Sequence, residues 1–156
     1  SSYTIQSAKV INYFSELRED VLGAYYGFYF LEVANYYARE FNDELEMLKL
    51  LYQTMRALTN PHIPDALIRC IYELKILTIN GQGPQVFQCV QCGDRTRPAV
   101  FSAAKGGLVC NECDGEVRDG MFLDGSTLYT MQYIESSTIE KLYTFLTIFP
   151  TKCVKK

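Results

Sequence analysis

Tryptophan is absent from this 156-residue chain, and histidine occurs once, as His62 between Pro61 and Pro64. A lone histidine flanked by prolines reads as an exposed loop residue rather than a catalytic base. No nucleophile elbow, phosphate-cradling glycine loop or His-Glu-x-x-His helix occurs either. Acidic residues are scattered or sit at helix starts, where capping accounts for them. The chain therefore reads as a non-enzyme. No apolar run reaches the ~18 residues that point to a membrane span. The net charge of -3 offers no bulk attraction to nucleic acid, so binding of that kind needs a local patch. There is no internal repeat and no low-complexity tract.

Cysteine is what the chain does have, and its spacing is informative. Four of the six cysteines form two matched pairs, Cys89-x-x-Cys92 and Cys110-x-x-Cys113, with seventeen residues between them. This is zinc-ribbon spacing. A C-x-x-C knuckle lets two thiolates reach one ion without strain, and zinc takes four such ligands tetrahedrally. Turn residues follow each pair, Gly93 after the first and Asp114-Gly115 after the second. The competing readings are two disulfides or four unrelated buried thiols. Four thiolates leave no coordination position for water or substrate, so one Zn2+ here is expected to be structural. Cys70 and Cys153 lack a C-x-x-C partner and read as free thiols, Cys70 as a buried small hydrophobe on a helix. The pattern and the missing secretory signal favour a reducing cytoplasm over a disulfide framework.

The rest of the chain is expected to be mostly α: a helical bundle with an inserted four-cysteine zinc ribbon built on a short β-hairpin. Residues 1–9, with Tyr3 and Ile5 alternating, read as the end of a strand or an arm, and so abrupt an opening looks like a fragment. Residues 10–84 form the helical domain. A first helical stretch from Val10 to Phe41 should break near Asp20 or Gly23. Its run Tyr25-Tyr26-Gly27-Phe28-Tyr29-Phe30-Leu31 is apolar around nearly its whole circumference, so it reads as a central core helix, with a partner-binding surface as the alternative. Asn42 or Asp43 is a plausible N-cap for a helix whose stripe is Leu45, Leu48, Leu51, Tyr52, Met55 and Leu58. Pro64 can open the next helix, with Leu67, Ile68, Ile71, Leu74 and Leu77 or Thr78 inward, and Asn80-Gly81 ends it.

Residues 85–120 form the ribbon, with strand candidates at Val86-Phe87, Ala99-Val100-Phe101 and Leu108-Val109 and a turn at Lys105-Gly106-Gly107. Residues 121–156 should complete the helical domain. They hold a short helix near 126–135, then a last one after the capping box Ser137-x-x-Glu140 that runs to Phe149. A basic tail (Lys152, Lys155, Lys156) closes the chain.

A longer set of residues resembles the bacterial RecO family of recombination mediators. It begins with Tyr72-Glu73-Leu74-Lys75-x-Leu77, followed by Gly81 or Gly83 with Pro84, then Cys89-Val90-Gln91-Cys92-Gly93. It ends with Phe101-Ser102-x-x-x-Gly106-Gly107-x-x-Cys110-x-x-Cys113. Upstream, Tyr3-x-Ile5, Leu17-Arg18-x-Asp20 and Leu31-Glu32 fit the end of that family's N-terminal domain and its first helices. The resemblance implies a DNA repair and recombination mediator that binds single-stranded DNA, the single-strand-binding protein and RecR. Strand annealing and recombinase loading follow from those contacts, in the cytoplasm at the nucleoid. Against the family's pattern, these 156 residues are expected to hold no more of the N-terminal OB-fold than a last strand at residues 1–6, and they stop soon after Phe149, where relatives usually continue through another helix.

Two sets of side chains are candidates for those contacts. Arg95, Arg97 and Lys105 lie between the cysteine pairs and could meet DNA phosphates, against their reading as a solvated loop. Arg69 and Lys75, with Arg56 nearby, flank apolar stripes and could take the acidic, Phe-ended tail of the single-strand-binding protein. The alternative to a mediator is a structural or protein-interaction zinc module without direct DNA contact. A thiol redox protein is a third class, and would need the cysteine pairs free of metal.

Overall fold

Helix ends follow local signals in the sequence. Asp20 accepts a hydrogen bond from the Gly23 amide (3.0 Å) and caps the first helix, and Asp124 does the same for Thr127 (2.7 Å) at the start of the last. After Pro64 the third helix begins, and it stops in a Schellman turn: the Gln82 amide donates to Leu77 (2.8 Å) and that of Gly81 to Thr78 (3.1 Å). The computed structural model describes residues 4–95 and 98–144. Within them lie α1 (Val21–Tyr37), α2 (Leu45–Leu58), α3 (Asp65–Ile79) and α4 (Gly125–Ser136), with single 3-10 turns at Ser15–Arg18, Asp114–Glu116 and Ile139–Lys141. An antiparallel hairpin, β1 (Pro98–Ser102) and β2 (Gly107–Cys110), is inserted between α3 and α4. The architecture is a mostly α protein carrying a small ribbon.

Several expectations need correcting. Residues 4–14 hold neither helix nor strand, so the stretch from Val10 contributes only one 3-10 turn before the break at Asp20. Tyr3 lies outside the described residues, and Ile5 is exposed. Val86-Phe87 is not a strand; one parallel bridge joins Gln85 to Gly107. Ser137 is the C-cap of α4, and among the described residues it is followed by the 3-10 turn Ile139–Lys141 and no α-helix. Phe149 and the basic tail lie outside the described residues.

The helical core centres on Tyr72. Its ring is fully buried, 4.6 Å from the Phe30 ring between centroids, and its hydroxyl donates to the Phe30 carbonyl (2.9 Å). Burial pushes its phenol well above the ordinary range. Ile68, Ile71 and Ile76 pack beside it, with Ile134, Ile139 and Leu142 from the far end of the chain. The expected α2 stripe holds in part: Leu58 is buried, and Leu51 and Met55 pack partly buried against the core. Met47, Leu50, Thr54, Ala57 and Leu58 point inward, whereas Leu45, Leu48 and Tyr52 face out. Thr54 is tolerated inside because its hydroxyl donates to Leu50 (2.8 Å) and meets the Tyr143 hydroxyl (2.7 Å). The aromatic run of α1 is a half-exposed helix rather than a central one: Phe30 and Gly27 are buried, but Val21, Tyr25 and Phe28 are 71%, 70% and 68% exposed.

α4 is held to α3 by one charge. The Lys75 side chain is buried, and its ammonium donates to the carbonyls of Ile134 (3.0 Å), Glu135 (3.0 Å) and Ser137 (2.7 Å). These carbonyls belong to the last turn of α4, where orphan acceptors collect and the helix dipole favours a cation. Burial pulls the Lys75 pKa down, and the nearby Glu135 carboxylate counters that pull. Burial in turn raises the Glu135 carboxyl. Replacing Lys75 by Met would strand the three carbonyls without a donor. The expected loss is about 2–3 kcal/mol of stability, measured by urea denaturation of K75M beside the parent chain. A variant as stable as the parent would mean that water serves those carbonyls equally well.

Candidate metal centre

The ribbon positions its cysteines by backbone constraint. In the first knuckle the Gly93 amide donates to the Cys89 carbonyl (2.9 Å) and the Cys89 amide to Asp94 (2.7 Å), which folds Cys92 back over Cys89. Gly93 makes this turn at φ 76, a left-handed conformation that side chains resist. The second knuckle leaves the end of β2, where the Cys113 amide donates to the Cys110 carbonyl (3.0 Å). The Val90 amide donates to Leu108 (2.8 Å) and ties the first knuckle to β2. On the same edge of β2, Gly107 lies against Gln85 so closely that a β-carbon would run into the Gln85 carbonyl. Beyond β1, Phe101 and Met121 exchange two backbone hydrogen bonds of 2.8 Å. Asp119 secures the hairpin turn by accepting from the Ser102 hydroxyl (2.6 Å) and the Ala104 amide (2.8 Å).

These constraints bring the four sulfurs together. The Sγ atoms of Cys89, Cys92, Cys110 and Cys113 all lie within 4.8 Å of one another, with Cys92 and Cys110 3.5 Å apart. Tetrahedral zinc with bonds of about 2.3 Å places its sulfurs about 3.8 Å apart, so the cluster has the dimensions of a site with four thiolate ligands. The four cysteines can hold one metal ion. Cys89 and Cys110 are buried and Cys92 is exposed. Burial opposes ionisation of Cys89, but amide donors from Cys92, Cys110 and Gln91 outweigh it and bring the thiol down to about 6. The Cys110 amide stands 3.4 Å from that sulfur. Cys113 moves the other way, to about 12, because hydrogen bonding to the Cys110 sulfur and burial both favour its neutral form. Four sulfurs this close cannot all ionise against one another; a divalent cation removes that conflict by taking them as thiolates.

The remaining candidate residues are dispersed. Arg95 follows the first knuckle and its Nε donates to the Gln88 side chain (3.3 Å). Lys105 is exposed in the turn between β1 and β2, at the opposite end of the hairpin from the cysteines, on the order of 15 Å along the strand. Arg97 lies outside the described residues. On α3, Arg69 is exposed and its Nε stands 3.5 Å from the Glu73 carboxylate, which also accepts from the Tyr29 hydroxyl (2.6 Å). Lys75, expected beside it, points inward to α4 and leaves Arg69 as the solvent-facing cation of that pair. Arg56 is exposed near the end of α2. Cys70, expected to be buried, is exposed; its helix turns that position to solvent while Ile68, Ile71 and Tyr72 take the core face. Cys153 lies outside the described residues, and His62 is exposed as expected.

A ribbon with four clustered cysteines, set between the third and fourth helices of a small bundle, defines the class of protein. The Recombination protein O C terminal family model matches residues 18–147. The chain belongs to that family. It is 38% identical over 116 residues to the DNA repair protein RecO of Caldicellulosiruptor bescii, a match covering 73% of this chain and 47% of the relative. Identity to the RecO of Halalkalibacterium halodurans is 32% over 110 residues (70% and 43%). With that of Alkaliphilus metalliredigens it is 27% over 143 residues (91% and 58%). The chain spans about half the length of these curated relatives. No solved structure gives a significant match.

The ribbon's own buried cluster is small: Cys89, Val109 and Cys110, with Val90, Val100, Cys113 and Val117 partly buried against it. Two of its three fully buried members are metal-ligand candidates, so the ribbon should depend on its ion as the helices do not. Chelation is expected to abolish amide-exchange protection from Cys89 to Cys113 while helical circular dichroism changes little. Protection that survives complete metal removal, verified by mass spectrometry, would contradict this dependence.

Proposed function

We propose that this chain is the helical and ribbon part of a recombination mediator that acts in DNA repair without catalysis of its own. Its membership of the RecO family over residues 18–147 carries this reading. In it the metal is one structural Zn2+, favoured by an all-cysteine donor set of tetrahedral dimensions. The partners are single-stranded DNA, the single-strand-binding protein and RecR, and the activities are strand annealing and recombinase loading. The setting is the cytoplasm at the nucleoid; no helix among the described residues is long and apolar enough to cross a membrane.

Weak, salt-sensitive DNA contact is the part of this proposal that the residues let us size. Arg95, Arg97 and Lys105 are three cations on one ribbon in a chain of net charge -3. Each phosphate contact contributes a slope of about 0.7 to the salt dependence of single-strand binding. Fluorescence anisotropy with a single-stranded oligonucleotide over a salt series is expected to show the slope falling by about 2 in the triple Ala variant. Affinity unchanged at low salt would remove these three residues from the DNA surface. Arg69 is the proposed cation for the acidic tail of the single-strand-binding protein, being exposed and beside an apolar helix. Calorimetric titration with a tail peptide should show weaker binding by R69A, and equal affinities would end that assignment.

A protein-interaction module without DNA contact is the second reading. It is favoured by the exposed apolar face of α1, a surface of the kind that marks contact with another protein. Unchanged pull-down of protein partners by a ribbon variant that has lost DNA affinity would separate the two roles.

A further inference from the structure

The four-cysteine centre is lopsided in a way that metal binding alone does not require. Cys92 is exposed and Cys113 half-buried, whereas Cys89 and Cys110 are buried. Small oxidants attack the thiolate that solvent can reach, so Cys92 is the sulfur they meet first. The Cys110 sulfur stands 3.5 Å from it. A disulfide bond is about 2.0 Å long, so these two sulfurs need to close by about 1.5 Å. The Cys89 sulfur belongs to the same cluster but is buried and accepts from the Cys110 amide (3.4 Å), which draws on its electron density. Cys110 is thus the better placed partner for an oxidised Cys92.

We propose that the centre is also a peroxide-sensitive switch: Cys92 is oxidised first and closes a disulfide with Cys110, which releases the metal and loosens the ribbon. This rests on the reading of the centre as a site for one structural Zn2+. The Cys92 thiolate attacks one oxygen of hydrogen peroxide; an S–O bond forms, the O–O bond breaks and hydroxide leaves. The Cys110 thiolate then attacks the Cys92 sulfenic sulfur; an S–S bond forms, the S–O bond breaks and a second hydroxide leaves. Each hydroxide takes a proton from solvent. Two thiolates, one peroxide and two protons give one disulfide and two waters, the sulfurs losing the two electrons that the peroxide gains.

One thiolate then remains in each knuckle, Cys89 and Cys113, too few to close a four-ligand site. Cys110 also belongs to the small buried cluster of the ribbon, with Cys89 and Val109. Drawing its sulfur toward the exposed Cys92 disturbs that cluster as the ion leaves. The Tyr72-centred core of the helices is separate from it and stays intact. Cys70 is exposed on α3 and outside the cluster, so its oxidation leaves the metal in place.

The test uses the full chain carrying C70S and C153S, loaded with Zn2+ and its metal content verified by mass spectrometry. Hydrogen peroxide is added in steps, and freed zinc is read with a chromogenic chelator. About one Zn2+ should leave for each peroxide consumed, and peptide mapping should place the disulfide between Cys92 and Cys110. Amide-exchange protection should fall from Cys89 to Cys113 with little change in helical circular dichroism, and a dithiol reductant with added Zn2+ should restore it. C92H keeps a zinc-ligand side chain at the exposed position and is expected to slow the release about tenfold. If C92H takes up no zinc, the disulfide mapped in the parent decides. Zinc retained through excess peroxide overturns the switch and leaves the structural Zn2+ reading intact. So does a first disulfide other than Cys92–Cys110, or release from zinc-loaded C92H as fast as from the parent. A chain that binds no metal at the outset overturns the switch and the Zn2+ reading together.

Discussion

Among the described residues the cluster around the ribbon's cysteines holds seven side chains, three of them cysteines, and Val86 and Leu108 add two more buried apolar groups. That is too little burial to order a hairpin, two knuckles and the loop that returns to α4, because each ordered residue costs on the order of 1.5 kcal/mol in conformational entropy. Convergence of four sulfurs on one point is the constraint that makes the ribbon possible. A cation held there joins Cys89 and Cys92, just after α3, to Cys110 and Cys113 at the end of β2. It fixes the register of everything between them. Gly93 and Gly107 follow from this: one turns the first knuckle left-handed, and the other lets Gln85 press against β2.

The ribbon is not a pendant module, because α4 connects it to the helices. The Gln132 side chain donates to the Val86 carbonyl (2.7 Å), just ahead of the first knuckle, and Val86 itself is fully buried. One turn further on, the end of α4 is gripped by Lys75 of α3. Position is thus passed from the Tyr72-centred core through Lys75 to α4, and through Gln132 to the segment that carries Cys89. A buried ammonium is costly to desolvate. Here it is matched to three carbonyls at a helix C-terminus. Specific positioning of α4 is what such a charge can supply and an apolar contact cannot.

Features set by one residue and its neighbours were legible in the sequence. The paired C-x-x-C motifs, the Asn80-Gly81 stop, the start at Pro64 and the break at Asp20 each encode their own geometry, and each sits where the sequence puts it. Features that depend on which of two plausible faces is buried were not. α2 carries leucines on two overlapping stripes, and periodicity alone gives Leu45-Leu48-Tyr52 the same claim to the core as Met47-Leu50-Thr54. The Tyr143 hydroxyl bonded to Thr54 lies far along the chain and settles the matter only in three dimensions. Lys75 reads locally as a solvated cation, and nothing near it announces the carbonyls that it serves. Ser137 and Glu140 have capping-box spacing, yet Ser137 is used to end α4. The roles of Gln132 and Asp119 had no sequence signal at all.

The two kinds of surface on this molecule respond to opposite conditions. Cations at Arg95 and Lys105 sit on a ribbon within an acidic chain, so any phosphate they attract is screened as salt rises. The aromatic face of α1 draws its strength from removal of apolar area from water, which salt does not weaken. Contacts made through α1 would therefore persist under conditions that strip nucleic acid from the ribbon. The Lys75 tie fixes the ribbon relative to the helical core without using any residue of the exposed α1 face.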